Sequence, residues 1–394
     1  MFADRFLKIS IGILFVCTCA HAASLSVTVV TVEGEEQNKI LEDVSGSGFK
    51  FESGTVPFND LSEVRFSAGT TEVGKTALYL RNGDVLYANI LGGDDSKLKL
   101  QSGALGEFSL ENKWLNAIVV TLKDGPSAQS IDEFLKAPPP KEDQLLLAKG
   151  ETASGFMEKF SEKELSFNAG GQSRPYPLEK IAVLRLAPLE KYKAAAELRA
   201  TLILHDGSHI SGKLLGLTDK ALKAEALDGQ TWSVDTAQIL SIVFTGGKLV
   251  YVSDLKPKEV DEKPYAGGAP LVFKWRRDQS VTGGKLSAGG KEYERGLGVH
   301  SFSRLMFELD GEYIKFLCDV GMDRGAAASA VCAWKVVADG KDAASGISKA
   351  GSGIESLKLD VKGAKVLELI CDYGPDEDDF GDHLDWANAR LLKP

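Results

Sequence analysis

The chain repeats one pattern of apolar and polar positions four times before about residue 246. Each copy begins with an alternating apolar segment that runs into a turn built on a glycine: Gly34, Gly83, Gly150 and Gly207. Fifteen residues after each glycine a second alternating segment follows, at 49–51, 98–100, 165–167 and 222–224. Each copy ends on an apolar residue (Phe66, Val120, Leu186 and Phe244), and an aliphatic residue lies five positions earlier (Leu61, Leu115, Ile181 and Ile239). Equal spacing at several landmarks indicates a duplicated unit.

Each unit is predicted to hold five short strands, with a short helical turn or strand at the aliphatic position. The evidence is alternation with period two, as in Leu78-Tyr79-Leu80, broken by Gly, Asn and Asp. Five short strands are too few for a large sandwich, whereas a small closed barrel removes exposed strand edges. Residues 202–212 resemble the opening hairpin of an Sm-like barrel. We therefore predict four small Sm/SH3-like barrels in an all-β chain.

Linkers separate the predicted units. The units span 23–68, 74–122, 143–187 and 197–246. A proline-rich linker at 137–143 cannot continue a strand. Residues 187–197, rich in Ala, Lys and Glu, are predicted to form a short helix. We expect unit one to group with unit two, and unit three with unit four.

The first 22 residues have the pattern of a secretory signal peptide. Arg5 and Lys8 precede a short apolar run, and Ala20-His21-Ala22 is a typical cleavage site. The apolar run is too short to cross a bilayer, and no later segment is long and apolar enough to do so. We therefore expect an exported protein, periplasmic or extracellular. The formal net charge of −10 argues against nucleic acid as a partner.

The last third of the chain also alternates in short strands, separated by Gly and Asp turns. Strands are predicted at 305–309, 315–320, 330–337, 356–361 and 366–371. Cys318, Cys332 and Cys371 share the parity of their apolar neighbours, so they are expected to be buried thiols. A disulfide between Cys318 and Cys332 is the alternative.

An ordered series of motifs runs through this region. It includes Val-Ser-Asp-Leu (252–255), Arg-Asp-Gln-Ser-Val-Thr-Gly-Gly (277–284), Gly-Leu-Gly-Val-His-Ser (296–301), Val-Gly-Met-Asp (320–323), Ala-Asp-Gly-Lys (338–341) and Gly-Asp-His-Leu-Asp-Trp-Ala-Asn-Ala-Arg-Leu (381–391). The series resembles the NPCBM family of carbohydrate-binding modules found beside bacterial glycoside hydrolases. The resemblance covers residues 248–394. It implies a galactose-binding-like β-sandwich, a jelly roll whose loops at one end hold the ligand.

Candidate ligand-binding residues cluster in two places. A sugar site needs an aromatic face for the ring and polar groups for adjacent hydroxyls. His300, Arg304, Asp382, His383, Asp385 and Trp386 are therefore the candidate carbohydrate-binding residues. His300 and Arg304 follow what we interpret as a glycine-rich turn at Gly296 and Gly298. In the alternative, Trp386 is a core residue and His300 is a structural histidine bonded to Asp382 or Asp385.

The acidic loop 372–383 is the last candidate site. Asp376, Asp378 and Asp382 offer the hard oxygen ligands that calcium prefers, although a solvated hairpin tip is the simpler interpretation. A hydrolase would need paired carboxylates in a cleft, so we do not expect an enzyme. We expect a protein that binds a glycan, of galactose type or another polysaccharide, with the repeats as scaffold or contacts for protein partners. The alternative is a structural or assembly protein of the cell envelope whose sandwich binds no sugar.

Overall fold

The computed structural model describes residues 25–67, 69–188, 198–218, 220–226, 229–266 and 273–394. Within those ranges the chain is all-β, with a single α-helix. The predicted signal segment and residues 189–197 of the predicted short helix lie outside the described residues. No helix in the described ranges is both long and apolar enough to cross a membrane.

The first two units each contain five strands, with a 3₁₀ turn before the fifth. Unit 1 comprises β1 (Leu25–Thr31), β2 (Glu36–Val44), β3 (Gly48–Phe51), β4 (Gly54–Pro57), the turn Phe58–Asp60 and β5 (Leu61–Arg65). Unit 2 comprises β6 (Thr76–Leu80), β7 (Val85–Asp94), β8 (Lys97–Ser102), β9 (Gly106–Glu111), the turn Asn112–Trp114 and β10 (Leu115–Val120). Helix α1 (Ala128–Lys136) follows unit 2 and precedes the proline-rich segment.

The last two units have the same order of elements. Unit 3 comprises β11 (Asp143–Leu147), β12 (Thr152–Ser161), β13 (Glu164–Ala169), β14 (Gln172–Pro177), the turn Leu178–Lys180 and β15 (Ile181–Arg185). Unit 4 comprises β16 (Arg199–Leu204), β17 (His209–Leu217), β18 (Ala221–Ala226), β19 (Thr231–Asp235), the turn Thr236–Gln238 and β20 (Ile239–Thr245).

The local geometry of the four units is the same. The turn glycines have φ values of 84°, 92°, 92° and 87°, a region that favours glycine because it lacks a Cβ. Each of these glycines donates its N–H to the carbonyl three residues earlier. A β-bulge falls on the eighth residue after each glycine, at Glu42, Leu91, Glu158 and Leu215. The repeat-like β structure inferred from the equal spacing is therefore present.

The predicted core positions are buried, with one exception. Leu61, Leu115, Ile181 and Ile239 are at most 1% exposed, and Phe66, Leu186 and Phe244 are also buried. Val120 is only half-buried, and it packs against the edge of this core instead of lying within it. Its strand ends at a cleft between units 2 and 3, which leaves the side chain facing that opening.

Strand pairing joins the units in an order that the sequence did not predict. Within each unit the strands follow the order four, three, two, one, five, and the fifth strand then pairs with the fifth strand of another unit. β5 pairs with β20, and β10 pairs with β15, so unit 1 groups with unit 4 and unit 2 with unit 3. The predicted grouping is wrong. Pairing two edge strands satisfies the backbone groups that each unit would otherwise expose.

The prediction of four separate barrels is not confirmed. The closed ring of paired strands that the structure contains is formed jointly by units 2 and 3. The far ends of β7 and β12 also pair, at Lys159↔Asp94, Phe160↔Gly93 and Ser161↔Gly92. The strands β12, β11, β15, β10, β6 and β7 therefore form one closed hydrogen-bonded circuit. The bulges in β7 and β12 bend these strands, so that their far ends can pair.

The two paired sheets also contact each other. Asp84 of unit 2 accepts hydrogen bonds from the backbone N–H (2.8 Å) and Oγ (2.6 Å) of Ser211 in unit 4. Phe108 and Trp232 pack edge to face, with ring centroids 4.8 Å apart. The buried apolar side chains of all four units belong to one continuous core.

The C-terminal region is a two-layer β-sandwich. Its strands are β21 (Leu249–Tyr251), β22 (Glu259–Glu262), β23 (Arg276–Arg277), β24 (Leu286–Ala288), β25 (Lys291–Tyr293), β26 (Gly296–His300), β27 (Ser303–Glu308), β28 (Lys315–Met322), β29 (Val331–Ala338), β30 (Lys341–Lys349), β31 (Glu355–Asp360), β32 (Val366–Tyr373) and β33 (His383–Leu392). One sheet has the order β23-β26-β33-β28-β31, with β21 also on β33, and the other has β22-β27-β32-β29-β30. The hairpin β24–β25 forms a separate small sheet.

The three cysteines of the sandwich are buried free thiols. Cys318 lies on β28 and Cys332 on β29, in opposite sheets, and the thiol of Cys318 approaches the carbonyl of Ala387 instead of another sulfur. The interpretation as small buried side chains is confirmed, and the alternative Cys318–Cys332 disulfide is not formed.

Candidate functional site at the loop end of the sandwich

Five strand termini meet at one end of the sandwich and position the candidate site. β22 and β26 end there, β27 begins there, β32 ends there and β33 begins there. The pairing of β26 with β33 sets His300 directly opposite His383. The sequence motifs at 296–301 and 381–391 are therefore neighbours in space.

Gly296 and Gly298 lie within β26 and do not form the turn that we predicted. A Cβ at Gly298 would come within 2.4 Å of the Gln279 carbonyl oxygen, and a Cβ at Gly296 within 2.5 Å of that of Trp386. These glycines let neighbouring backbone lie directly against β26. The 277–284 motif is thereby held close to the two histidines.

Three rings form a histidine cluster, which we define as Phe273, His300 and His383. The Phe273 ring stacks on His300 with centroids 5.1 Å apart and meets His383 edge-on at 4.8 Å. The two imidazoles are 5.5 Å apart. Both histidines are less than 9% exposed. Phe273 is a member that the sequence analysis missed.

Hydrogen bonds fix the proton on each buried imidazole. Nδ1 of His300 is 2.7 Å from the carbonyl oxygen of Ser301, and Nδ1 of His383 is 3.1 Å from that of Gly325. A carbonyl oxygen only accepts, so each Nδ1 carries the hydrogen. Burial, followed by repulsion from His300, lowers the pKa of His383. Its Nε2 is buried and has no protein partner among the described residues, so its acceptor lone pair is unsatisfied.

Asp382 positions the loops and does not contact the imidazoles. Its side chain accepts from Ser301 Oγ at 2.6 Å and from the Val331 N–H at 3.2 Å. Burial raises its pKa. The expected hydrogen bond from His300 to Asp382 or Asp385 is wrong, because Nδ1 of His300 binds the backbone and Asp382 reaches this strand only through Ser301.

Asp385 lies beneath the β24–β25 hairpin. One carboxylate oxygen accepts from the Ser287 N–H at 2.8 Å, and the other is buried without a donor. Burial, followed by the neighbouring carboxylate of Asp323, raises the pKa of Asp385. This carboxyl holds the hairpin on the sheet instead of facing the loop end.

Trp386 and Arg304 are separated from the histidine cluster. Trp386 is 0% exposed and packs edge to face on Trp334, with centroids 6.1 Å apart, so it belongs to the core between the sheets. Its parity on β33 is opposite to that of His383 and Asp385. Arg304 lies on the outer face of the other sheet, where it pairs with Glu368 and Glu259 at 2.5 and 3.5 Å. Neither side chain can join a ligand site around His300.

The loop end also carries exposed aromatic rings, which the sequence analysis did not single out. We define this aromatic group as Tyr265, Phe302, Tyr373 and Phe380. Tyr373 contacts Tyr265 and Phe302, with centroids 5.0 and 6.4 Å apart. Tyr265 is 48% and Phe380 70% exposed, high values for large aromatic side chains. Exposed rings beside polar groups provide the apolar surface that stacks on a sugar ring.

The acidic loop does not gather the predicted calcium ligands. Asp382 is used by Ser301 and Val331, whereas Asp378 accepts from the Phe380 N–H at 2.8 Å. Asp376 lies beside Gly374. Among the described residues no three acidic, histidine or cysteine side chains converge as a metal site requires. Calcium binding at this loop stays a prediction.

A known protein family matches the region that contains this site. Residues 248–392 match the NPCBM/NEW2 domain, which confirms the resemblance inferred from the motifs. No curated protein matches the chain.

Three solved structures illustrate the structural similarity. The CBM51 module of Clostridium perfringens GH95, in complex with methyl-galactose, is 22% identical over 36% of this chain and 99% of its own, with a TM-score of 0.32. The CBM51-2 and INT domains of Clostridium perfringens ZmpB, in complex with GlcNAc, are 21% identical over 47% of this chain and 44% of their own, with a TM-score of 0.34. The tandem CBM51 modules of Streptococcus pneumoniae Sp3GH98 are 15% identical over 81% of this chain and 88% of their own, with a TM-score of 0.32. TM-scores at this level carry no conclusion about the ligand.

Proposed function

We propose that this is an exported, non-catalytic carbohydrate-binding protein whose sandwich holds a saccharide at the loop end. The match of residues 248–392 to the NPCBM/NEW2 domain is the observation that carries the proposal. The four repeat units serve as a scaffold for this module.

The loop end supports the proposal by its chemistry. The unpartnered Nε2 of His383 offers one acceptor, and the aromatic group offers exposed ring faces. A saccharide needs both, because its hydroxyls require hydrogen-bonding partners and its C–H face packs on aromatic rings. The sequence candidates His300 and His383 remain in this proposal. Asp382 acts as a positioning residue, whereas Trp386 and Arg304 do not contribute.

A glycan array with the full chain tests the proposal first. The same protein is then titrated with methyl-galactose, N-acetylglucosamine, cellobiose and the oligosaccharide that the array ranks highest. We expect Phe380→Ala and Tyr265→Ala each to weaken binding about tenfold, a loss of about 1.4 kcal/mol. Both side chains are exposed, so the fold should persist.

The matched control is Phe156→Ala. Phe156 is 54% exposed, but it lies on β12 of the repeat region. Its replacement should leave saccharide affinity unchanged. An array with no bound glycan would exclude the proposal, as would equal affinities for the loop-end variants and the unmodified protein.

A further inference from the structure

A second cavity lies between repeat unit 1 and the sandwich. This interdomain cleft has a volume of about 650 Å³. Glu63 and Arg65 of β5 lie on one wall, and Tyr293, Asp319 and Asn388 of the sandwich lie on the other. Saccharide and cofactor sites commonly have volumes of roughly 300–1,000 Å³. The cleft therefore has the size of a ligand site, and it is distinct from the loop end.

Two anchors hold the walls of the cleft together. Arg390, which is only 6% exposed, donates from Nε to the Val32 carbonyl oxygen at 3.1 Å. Lys315 pairs with Glu33 at 2.6 Å. Apolar contacts support them, among Val32, Leu249, Tyr251, Leu317 and Leu392. The cleft is thus a built junction between two regions.

The duplicated units show that the polar wall is not required by the fold. Glu63 and Arg65 lie two and four residues after Leu61; the residues at the same offsets from Leu115 in unit 2 are Ala117 and Val119. In unit 2 this face is apolar and is covered by α1. In unit 1 the same face is charged and opens into the cleft. In unit 3 the Arg65 position is also an arginine, Arg185, but it is buried under α1 and donates to the carbonyls of Ala137 and Pro138. The acidic Glu63 has no acidic counterpart at this offset in the other three units.

The carboxylates that line the cleft already have cationic or hydroxyl partners, which bears on the kind of ligand. Arg65 pairs with Glu63 and Glu36 at 2.8 and 3.1 Å. Asp319 accepts from Ser356 Oγ at 2.6 Å and from the Tyr293 hydroxyl at 3.3 Å. Paired charges offer many hydrogen-bonding groups without a strong field of either sign. Such a lining fits a neutral, hydroxyl-rich molecule better than a metal ion or a polyanion.

Asn388, on the sandwich wall of the cleft, has an unusual backbone conformation. It has a φ of 51°, although it is not glycine, and it lies at a β-bulge in the central strand β33. Its carbonyl oxygen accepts from Nη1 of Arg390 at 3.0 Å. Bulges commonly re-aim a side chain next to a functional site, and left-handed non-glycine residues are enriched at such sites.

We propose that the interdomain cleft is a second saccharide-binding site, built jointly by unit 1 and the outer face of the sandwich. The chemical class of the ligand rests on the proposed function. The Asn388 amide supplies a donor, and the Tyr293 hydroxyl oxygen and the Asp319 and Glu63 carboxylates supply acceptors. The site needs the repeat region, so the repeats act as part of the binding surface as well as a scaffold.

Amide hydrogen exchange on the full chain tests this, with the saccharide probes named above at saturating concentration. We expect protection of peptides covering 61–65 and 355–360, separate from protection at 373–383. The variant Asn388→Gly combined with Tyr293→Phe should weaken cleft protection about tenfold in probe concentration and leave the loop-end protection intact. Glycine suits the φ of position 388, so this variant should fold. Asp310→Gly, at a φ of 51° outside the cleft, is the control for the backbone change.

The other outcomes each overturn the inference in a distinguishable way. Protection confined to 373–383 and unchanged in the cleft variant would leave the proposed function standing and exclude the second site. Loss of cleft protection in Phe380→Ala would show a single site at the loop end. Absence of protection anywhere, together with an empty glycan array, would exclude both proposals.

Discussion

The sheet that joins units 1 and 4 and the sheet that joins units 2 and 3 are built alike and covered differently. In each, two fifth strands pair antiparallel, and the residues at the junction are equivalent: Val64 opposite Ile242, and Ile118 opposite Leu184. Outside the junction the sheets diverge. The 2/3 sheet packs its outer face on helix α1, whereas unit 1 turns the equivalent face toward the cleft and the sandwich.

This difference shows which part of a duplicated unit is free to change. Turn glycines, bulges and inward side chains must persist, because a one-residue change in register would move the core residues to the opposite face. The outer face has no such constraint. In unit 1 its side chains are polar, so this face needs no apolar cover and is available for contacts with another region.

The largest expected effect tests whether the two junctions are equivalent. Leu184→Ala and Ile242→Ala each remove a side chain that is at most 1% exposed, at the same position of the repeat. Each should lower the free energy of unfolding by about 2–5 kcal/mol, measured by chemical denaturation. Leu215→Ala is the control; Leu215 is 41% exposed, and its loss should stay within about 0.5 kcal/mol. A large loss of unfolding free energy in only one of the two variants would show that the two junctions are not equivalent.

A second test isolates the contact that only unit 1 makes. Gly34→Ala and Gly150→Ala both place a Cβ at a positive φ, which costs about 1–2 kcal/mol. At Gly150 nothing lies within 4 Å of the added Cβ, whereas at Gly34 it would come within 2.6 Å of Nη2 of Arg390. Gly34→Ala should therefore be the more destabilising variant in thermal melting. It should also speed exchange of the amide hydrogens of β33.

Gly150→Ala should leave β33 unaffected. Equal melting temperatures for the two variants would show that Arg390 moves aside without cost, and that the sandwich is not anchored at this turn.

The spacing of glycine and apolar residues was sufficient to predict the turns of the four repeat units. The four turns follow from Gly34, Gly83, Gly150 and Gly207, since each sits at a φ that disfavours other residues. The pairing of unit 1 with unit 4 and of unit 2 with unit 3 could not be predicted in the same way. All four fifth strands have the same pattern, and nothing in that pattern decides which two of them pair.

Other features escaped prediction for different reasons. Helix α1 had a recognisable signal, because Ser127 caps it and Ile131, Phe134 and Leu135 follow with helical spacing. At the candidate site, His300 and His383 came from the motifs, but Trp386 was chosen for its chemistry although its parity on β33 places it in the core. Tyr265 and Phe273 are distant in sequence from the histidines, so only the fold shows that they lie at the same end of the sandwich.

A smaller effect tests the cover of the 2/3 sheet. Phe134 of α1 is half-buried against the sheet, with the Arg185 guanidinium 5.5 Å from its ring centroid. Phe134→Ala should cost about 2 kcal/mol, less than truncation of a fully buried ring. Hydrogen exchange should quicken in β10 and β15 and stay unchanged in β5 and β20. Equal changes in both sheets would show that α1 stabilises the whole repeat region and not this face alone.

The smallest effect concerns the start of that helix. Ser127 Oγ accepts from the Ser130 N–H at 3.1 Å, which satisfies one of the free donors of the first turn. Ser127→Ala should destabilise α1 by about 1 kcal/mol, and Ser127→Asp should restore the cap because a carboxylate accepts the same bond and complements the helix dipole. The readout is exchange of the amides of 128–136. Since α1 makes no contact with the cleft, saccharide protection at 61–65 should be the same in both variants; a change there would mean that the two outer faces are coupled and that their different covers are not independent.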